Sequence, residues 1–259
     1  MTEIRNPFVY SSAAQRYSRS RPEFHPIVME RIRAQLNLLE RVSLAVDVGC
    51  GTGQSARALT LLARKVIATD ISPQMLAEAE PDPQVQYLHA PAEDLPLERA
   101  SADLMTASVA FHWFDQAQFL TQAARVLNPG GHLVIYGNYF TRHMLENPLF
   151  FEHGWPTHQR YPNVLPHAPQ QGESTAAEVS NQFGLEHLAS EQYSNEVRFT
   201  LEELVAYLLT QSNFIAPLER GETTVEELTR QLEDELRAYF LSGWATFGFE
   251  GPIDYFRRV

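Results

Sequence analysis

The sequence predicts an α/β fold with a parallel, doubly wound sheet, and three observations lead to this fold class. Short apolar runs recur between Ser43 and Asn138, segments with apolar residues at helical spacing separate them, and one run passes directly into a glycine-rich turn. Alternating strands and helices of this kind are typical of a parallel sheet with helices on both faces. The predicted strands are SLAVDV, KVIATD, VQYLHA, ADLMTASV and HLVIYGN, and the predicted helices are SARALTLLAR, SPQMLAEAE and FDQAQFLTQAARVL.

The composition is that of an ordinary globular protein. The chain has 259 residues, enough for one large α/β domain or a core domain with an insertion. Its net charge of −12 argues against nucleic acid as the main partner, because neutralising phosphates requires a basic surface. The one cysteine, Cys50, excludes an internal disulfide and a cysteine-based metal cluster, which fits a reducing cytoplasm.

The sequence contains no membrane or secretion signal. No apolar stretch approaches the roughly 18 residues that a membrane span requires, and MTEIRNPFVYSS lacks the apolar core of a signal peptide. We therefore expect a cytoplasmic protein without a membrane partner. Monomer and homodimer both stay open as oligomeric states.

Four segments are predicted along the chain. Residues 1–41 form a helical arm or lid with seven arginines against four glutamates, a net charge of +3 in an otherwise acidic chain. Residues 42–138 form the core, and residues 139–182, which lack a clean period, form an inserted cap. Residues 183–259 complete the sheet with the strands LEHLASEQYSNEVRF and PIDYFRRV, between which a helical insertion spans residues 200–240.

The strongest chemical signal is the turn AVDVGCGTGQ (residues 45–54), in which an apolar strand leads into three glycines and then a helix. Glycine lets the backbone approach a ligand closely and exposes amides at a helix N-terminus. A dinucleotide fingerprint requires glycine where this chain has Gln54, so NAD is disfavoured. Asp47, before the first glycine, suits a ligand with an ammonium group better than one with a pyrophosphate.

Acidic residues follow the second and third predicted strands. Asp70 lies 19 residues after Gly51, the separation at which an acid at the end of the second strand accepts hydrogen bonds from ribose hydroxyls. NAD and nucleoside-containing methyl donors both satisfy this spacing. Glu93 and Asp94, after the third strand, can accept a hydrogen bond from an adenine amino group.

Five motifs in fixed order, DVGCGTGQ, TDISPQML, AEDLP, ASVAFHWFD and RVLNPGG, resemble the class I S-adenosylmethionine-dependent methyltransferases of type 11 over about residues 42–138. The resemblance implies a Rossmann-like sheet of seven strands whose last strand is antiparallel. It also implies S-adenosylmethionine as methyl donor and S-adenosylhomocysteine as product. The implied donor-binding residues are Asp47 at the methionine amino group, Gly49, Gly51 and Gly53 along the methionine moiety, Asp70 at the ribose, and Met75, Ala92, Glu93 and Asp94 around the adenine.

The flanking segments YSSAAQRYSRSRPEF, AFHWFD and LEELVAYLLTQS resemble the trans-aconitate methyltransferase-like enzymes, which methylate carboxylates of small acids. A related pattern occurs in malonyl-carrier-protein carboxyl methyltransferases. The resemblance implies O-methylation of a small-molecule carboxylate by in-line transfer, in which orientation can supply about 7–11 kcal/mol. It also implies an arm that closes over the donor, with the lid and pocket residues Tyr10, Arg16, Tyr17, Arg19, Arg21 and Trp113.

His112 follows the fourth strand, where the methyl group is expected, and is either a base or a pocket residue that excludes water. A carboxylate acceptor is ionised at neutral pH and needs no base, whereas a phenol or an ammonium group must first lose a proton. O-, N- or C-methylation of a phenol, amine or carbon centre therefore stays as an alternative. A protein that binds the donor without transferring the methyl group is the second alternative.

Charged residues of the predicted cap offer two further hypotheses. Arg142 and Arg160 are candidates for a bidentate carboxylate clamp on the substrate. Four cap histidines raise the question of a metal site, but their spacing matches no compact ligand motif, so no metal is expected. These histidines are His143, His153, His158 and His167.

Overall fold

The structure, a computed structural model, describes residues 10–152, 157, 160–161 and 181–259. Two compact units are distinguished within these residues. The core unit comprises residues 23–138, 181–193 and 251–259, and the arm unit comprises residues 10–22, 139–152, 157, 160–161 and 194–250. The predictions for His153, His158, His167 and residues 1–9 concern positions outside the described residues.

The core unit is built on parallel strands. β1 (Val42–Val48) pairs with β2 (Ala63–Asp70) and with β4 (Ala102–Ser108), β3 (Val85–His89) pairs with β2, and β5 (Leu127–Tyr136) pairs with β4. The last strand, β8 (Ala245–Arg258), lies beside β5 in antiparallel register, with Tyr136 opposite Ile253. The strand order is β3-β2-β1-β4-β5-β8, and β7 (Leu185–Phe199) also pairs with β8.

Helices cover both faces of this sheet. α2 (His25–Gln35) and α3 (Gln54–Leu59) pack on the face that carries Ala45 and Leu104. α5 (Gln116–Val126) packs on the other face, with Val46 and Met105. Because neighbouring strand residues point to opposite faces, a strand buried on both is apolar along its length, which is why these strands are predictable. The predicted doubly wound sheet with an antiparallel last strand is confirmed.

Several predicted boundaries differ from the structure. The strand predicted as HLVIYGN begins earlier, at Leu127, and the helix predicted as SPQMLAEAE ends earlier, at Ala77. The predicted helix SARALTLLAR is shorter, because α3 ends at Leu59 and Ala63 already belongs to β2. Leu59, Leu62 and Ala63 all belong to one buried cluster, so apolar spacing does not mark the end of the helix. The strand predicted as PIDYFRRV begins earlier, at Ala245. α4 (Pro73–Ala77) also lies within the core unit, and a short 3-10 turn there spans Phe111–Trp113.

The arm unit is mostly helical. It contains α1 (Ser11–Ser20), α6 (Leu149–Glu152), α7 (Leu201–Leu208), α8 (Ser212–Glu219) and α9 (Val225–Leu236). Capping boxes at Thr200 and Thr224 begin α7 and α9, so both helix starts are encoded locally. The apolar core of this unit includes Leu204, Tyr207, Phe214, Leu232, Phe247 and Phe249.

The arm unit also contains a strand that the sequence does not predict. β6 (Tyr139–Met144) pairs antiparallel with β8, with Tyr139 opposite Glu250 and Met144 opposite Phe247. Within the described residues the sheet therefore has eight strands, one more than predicted. The register shifts between Phe140 and Met144, where Arg142 has a φ of 60°, so the segment lacks the strict alternation by which a strand is recognised.

The predicted boundaries at residues 41, 138 and 182 stay predictions. α1 and α2, both within the predicted arm, fall in different units, and residues 139–152 share a unit with residues 194–250. No helix in the described ranges combines the length and apolar character needed to cross a membrane. The same residues contain no group of three or more His, Cys, Asp or Glu side chains arranged to hold a metal ion.

Candidate functional site

The glycine turn after β1 has an unusual backbone. Gly49, Gly51 and Gly53 have φ values of 71°, 55° and 81°, in the left-handed region that glycine adopts without strain. The turn is also tightly covered. A Cβ atom on Gly49 would lie 2.7 Å from the Cβ of Ala110, and one on Gly53 would overlap the phenol of Tyr87. Larger residues are therefore excluded here both by backbone conformation and by space.

Asp70, the last residue of β2, faces the glycine turn. Its Oδ2 accepts a hydrogen bond from Gly51 N at 2.8 Å, and its Oδ1 accepts one from Ser72 N at 2.8 Å. Burial raises the pKa of this carboxyl, and the two amide hydrogen bonds act in the opposite direction. Each carboxylate oxygen keeps a further acceptor direction, so Asp70 can also bind the hydroxyls of a ligand.

Apolar and acidic residues adjoin Asp70 and the turn. The Met75 methyl group lies 3.0 Å from where a Cβ on Gly51 would be, so Met75 adjoins the turn, and its packing on an adenine stays a prediction. Ala92 and Met75 are both buried, whereas Asp94 is exposed. Glu93 Oε1 accepts a hydrogen bond from Asp115 N at 2.8 Å, so Glu93 helps to fix the start of α5.

Asp47, just before the turn, is fully buried. Its Oδ2 accepts a hydrogen bond from the Ser55 hydroxyl at 2.5 Å, and its Oδ1 accepts one from the Thr106 hydroxyl at 2.8 Å. Burial raises its pKa from 3.8 to about 6, although the two hydroxyl hydrogen bonds lower it. Both oxygens thus bind side chains of the core unit, and the predicted contact with a methionine amino group stays a prediction.

The chain turns sharply after β4, before the residue predicted as a base. Val109 has a φ of 50°, a left-handed conformation that costs about 1–3 kcal/mol for such a residue. The turn Phe111–Trp113 follows, with Trp113 N donating to the Ala110 carbonyl at 2.8 Å. Burial lowers the pKa of His112, so its imidazole is neutral at neutral pH and able to accept a proton.

A buried polar group at the ends of β4 and β5 has no role in the sequence-based predictions. His25 Nδ1 lies 3.2 Å from the Tyr136 hydroxyl, which also bonds to the Ser108 side chain. Burial, with a contribution from the Arg57 charge, lowers the pKa of His25 from 6.5 to about 3. The signal that could have revealed this group is the pair Thr106 and Ser108, two polar residues on one face of an apolar strand.

The predicted lid residues bind to other parts of the arm unit. Arg16 Nη2 lies 3.1 Å from Glu219 Oε1, so α1 is joined to α8. Arg21 Nη2 donates to the Thr210 carbonyl at 3.1 Å, and its guanidinium lies 4.7 Å from the Tyr17 ring centroid. These contacts give Arg16, Tyr17 and Arg21 a structural role, and their contact with a substrate stays a prediction.

The remaining predicted substrate residues are spread over both units. Tyr10 precedes α1 and its carbonyl accepts from Ala14 N at 3.1 Å. Arg19, Arg142 and Arg160 are exposed, and the Arg160 guanidinium lies over the Tyr161 ring. Trp113 packs beside His112, with the two ring centroids 5.4 Å apart. A role in substrate binding is untested for each of them.

Residues 46–135 match the family described as Methyltransferase domain. This segment is a methyltransferase domain. It contains β1, the glycine turn, Asp70, Met75, the acidic pair after β3 and the His112 segment. The residues that the sequence motifs and the geometry bring together thus belong to one domain of known family.

Two curated relatives support this assignment. An uncharacterised methyltransferase of Mycobacterium bovis is 33% identical over 130 residues, which cover 50% of this chain and 51% of that protein. A malonyl-[acyl-carrier protein] O-methyltransferase of Marinomonas sp. is 36% identical over 135 residues, 48% of each protein. The chain therefore spans about half the length of the curated relatives that it matches.

A solved structure extends the likeness beyond the methyltransferase domain. It is a protein of Anaeromyxobacter dehalogenans assigned as a type II methyltransferase, and it matches with a TM-score of 0.65. The match covers 92% of this chain and 97% of that chain at 24% sequence identity. At this identity the match establishes a shared fold and leaves the substrate open.

Proposed function

We propose that this protein is an S-adenosylmethionine-dependent methyltransferase that methylates a carboxylate oxygen of a small molecule in the cytoplasm. The observation that carries the proposal is the glycine turn of the methyltransferase domain, with Asp70 and Met75 held against it. We propose that the donor binds to the residues that the sequence motifs imply, with its methionine moiety along the glycine turn, its ribose at Asp70 and its adenine near Met75. The product from the donor is then S-adenosylhomocysteine.

The residues around the turn fit this donor. The glycines let a ligand approach the backbone closely, and Asp70 has acceptor capacity for ribose hydroxyls. Met75 and Ala92 offer apolar surface for a purine. The carboxylates of Asp47, Asp70, Glu93 and Asp94 favour a positively charged ligand, and S-adenosylmethionine when bound supplies a methyl group on a cationic sulfur.

A carboxylate is the acceptor that makes the least demand on this site. It is ionised at neutral pH and needs no base. His112, whose pKa is lowered by burial, is then an uncharged residue that lines the acceptor site beside Trp113. The similarity to a malonyl-[acyl-carrier protein] O-methyltransferase supports a carboxyl acceptor. Exposed arginines such as Arg19, Arg142 and Arg160 are the candidates for binding its charge.

A second candidate is methylation of a phenol, amine or carbon centre, which the neutral imidazole of His112 favours. Such an acceptor must lose a proton, and a neutral imidazole can take it. In that case His112→Ala abolishes the fall in rate toward low pH that protonation of His112 causes, whereas for a carboxylate acceptor the substitution leaves the shape of the profile unchanged. A protein that binds the donor without transferring the methyl group forms no labelled product with any acceptor.

Donor binding is tested first, by calorimetric titration with S-adenosylhomocysteine. We expect Asp70→Asn to weaken binding, because it replaces an acceptor oxygen that also bonds to Gly51 N. Asp103→Asn is the matched control, since Asp103 likewise accepts from two backbone amides, Ser43 N and Leu44 N, but lies at the start of β4. Equal affinities for the two variants and the parent would contradict the assignment of the donor site.

The acceptor is tested with methyl-tritiated S-adenosylmethionine and a panel of di- and tricarboxylates. A carboxyl ester releases its label as volatile methanol under mild alkali, and this is the expected result. Label that is stable to alkali assigns the methyl group to a phenol, amine or carbon and overturns the carboxylate proposal. Donor binding without incorporated label supports the non-catalytic alternative.

A further inference from the structure

We propose that Val109 is a positioning residue of the donor site: its left-handed backbone turns the chain at the end of β4 and holds residues 110–114 against the glycine turn. The inference rests on the proposed function, because it requires the glycine turn to bind S-adenosylmethionine. Val109 lies between strand β4 and the motif that contains His112. It touches the reaction only through the residues that follow it.

The backbone of Val109 is strained. Its φ of 50° lies in the left-handed region, which β-branched residues avoid. Three other non-glycine residues of the described chain share a positive φ, and Val109 alone among the four is β-branched. The other three are Asn37, Ala100 and Arg142. A conformation so unfavourable for valine persists only where its surroundings impose it.

Contacts from β5 and α2 impose this conformation. The Val109 amide donates to the Tyr136 carbonyl at 2.8 Å, and its side chain packs on the apolar cluster beneath α2 and α3. Tyr136 is itself fixed, because its hydroxyl lies 3.2 Å from His25 Nδ1. The Tyr136 ring also packs edge-on against Phe24, with centroids 6.3 Å apart. The point at which the chain turns is therefore anchored from two elements.

The turn decides where the next residues lie. Ala110 and Phe114 approach Gly49 so closely that a Cβ there would be 2.7 Å from the Ala110 Cβ and 2.9 Å from the Phe114 ring. His112 and Trp113 lie between these two anchored residues. A segment held in this way has little conformational freedom to lose when a ligand binds, and this favours affinity.

The test compares S-adenosylhomocysteine binding to the whole protein, Val109→Gly and Val109→Asn by isothermal titration calorimetry. Glycine adopts left-handed and right-handed backbone conformations equally well, so residues 110–114 can move away from the glycine turn. Asparagine tolerates the left-handed region and keeps a side chain. We expect Val109→Gly to lose about tenfold in affinity through this added freedom, and Val109→Asn to stay within about threefold of the parent. Ala100→Gly is the matched control with the parent's affinity, because Ala100 has a φ of 52° and precedes the start of β4.

Three results would overturn the proposal. One is parent-like affinity of Val109→Gly. Another is an equal loss in Val109→Gly and Val109→Asn, which would assign the effect to side-chain packing. The third is a loss of affinity that merely follows a loss of folded protein, measured by thermal unfolding of each variant. A parent that binds no S-adenosylhomocysteine contradicts the proposed function itself and this inference with it, so the two failures are distinguishable.

Discussion

Asp47 is a buried acid whose ionisation opposes folding, and replacing it with asparagine tests this directly. Its side chain is fully buried, and burial raises its pKa from 3.8 to about 6. The hydroxyls of Ser55 and Thr106 stabilise the ionised form but do not offset the cost of burial. Above about pH 6 the folded protein therefore contains a carboxylate that is more stable in the unfolded chain.

The size and sign of the effect follow from this pKa difference. About two pKa units correspond to about 3 kcal/mol. The folded state binds the proton more tightly than the unfolded state, so the free energy of unfolding decreases as the pH rises from about 4 to about 6. Asparagine stays neutral, so the free energy of unfolding of Asp47→Asn minus that of the parent should grow by about 2 kcal/mol between about pH 4.5 and about pH 7.5.

The assay is urea unfolding followed by circular dichroism at each pH, with the difference between variant and parent plotted against pH. Other titrating groups cancel in this difference. Thr106→Val keeps the shape of the side chain but removes one hydrogen bond, so it should raise the pKa of Asp47 further and steepen the loss of stability with pH. A difference between Asp47→Asn and the parent that is constant across the pH range would refute the reasoning.

Three further variants test other parts of the structure. The pKa of buried His25 is lowered to about 3, so only the unfolded chain takes up a proton at this position as the pH falls below about 6.5. The parent should therefore lose about 2–3 kcal/mol more free energy of unfolding than His25→Gln between about pH 7 and about pH 4.5, measured by urea unfolding. Equal losses of unfolding free energy in variant and parent would contradict this. Gly53→Ala should lower the free energy of unfolding by about 2 kcal/mol more than Gly130→Ala does. Both glycines have a φ near 80°, but only a Cβ on Gly53 would overlap Tyr87. Equal urea midpoints for the two variants would show that this overlap does not affect stability. Thr200→Ala removes the capping box of α7 and should lower the free energy of unfolding by about 1 kcal/mol, and an unchanged urea midpoint would argue against that cap.

The sequence predicts best what is encoded locally. Most of the core strands are recognisable because they contain runs that are apolar on both faces, although β3 has the exposed polar residues Gln86 and His89. The glycine turn is recognisable because Gly49 and Gly53 meet two independent demands, on backbone conformation and on space. Asp70 and Met75 are found at the turn for the same reason, since short connections fix them relative to β2. The fold of the core unit and the centre of the candidate donor site follow from such features.

What the sequence does not predict depends on partners far along the chain. Strand β6 exists because Tyr139 and Met144 find partners in β8, more than one hundred residues later. Val109 is held by a hydrogen bond to the carbonyl of Tyr136 on another strand, and His25 is neutral because packing removes it from water. No pattern within a few residues of these positions carries that information.

The position of β8 has a consequence for synthesis of the protein. Tyr136 on β5 pairs with Ile253, which lies 117 residues later in the chain. A ribosome that adds about 5–20 residues per second therefore needs roughly 6–23 s to synthesise this partner. Until then the open edge of β5 and the places that Ile253, Tyr255 and Phe256 fill in the core stay uncovered. A nascent chain is thus exposed to aggregation for many seconds, and a chaperone that shields hydrophobic edges should raise the yield of folded protein.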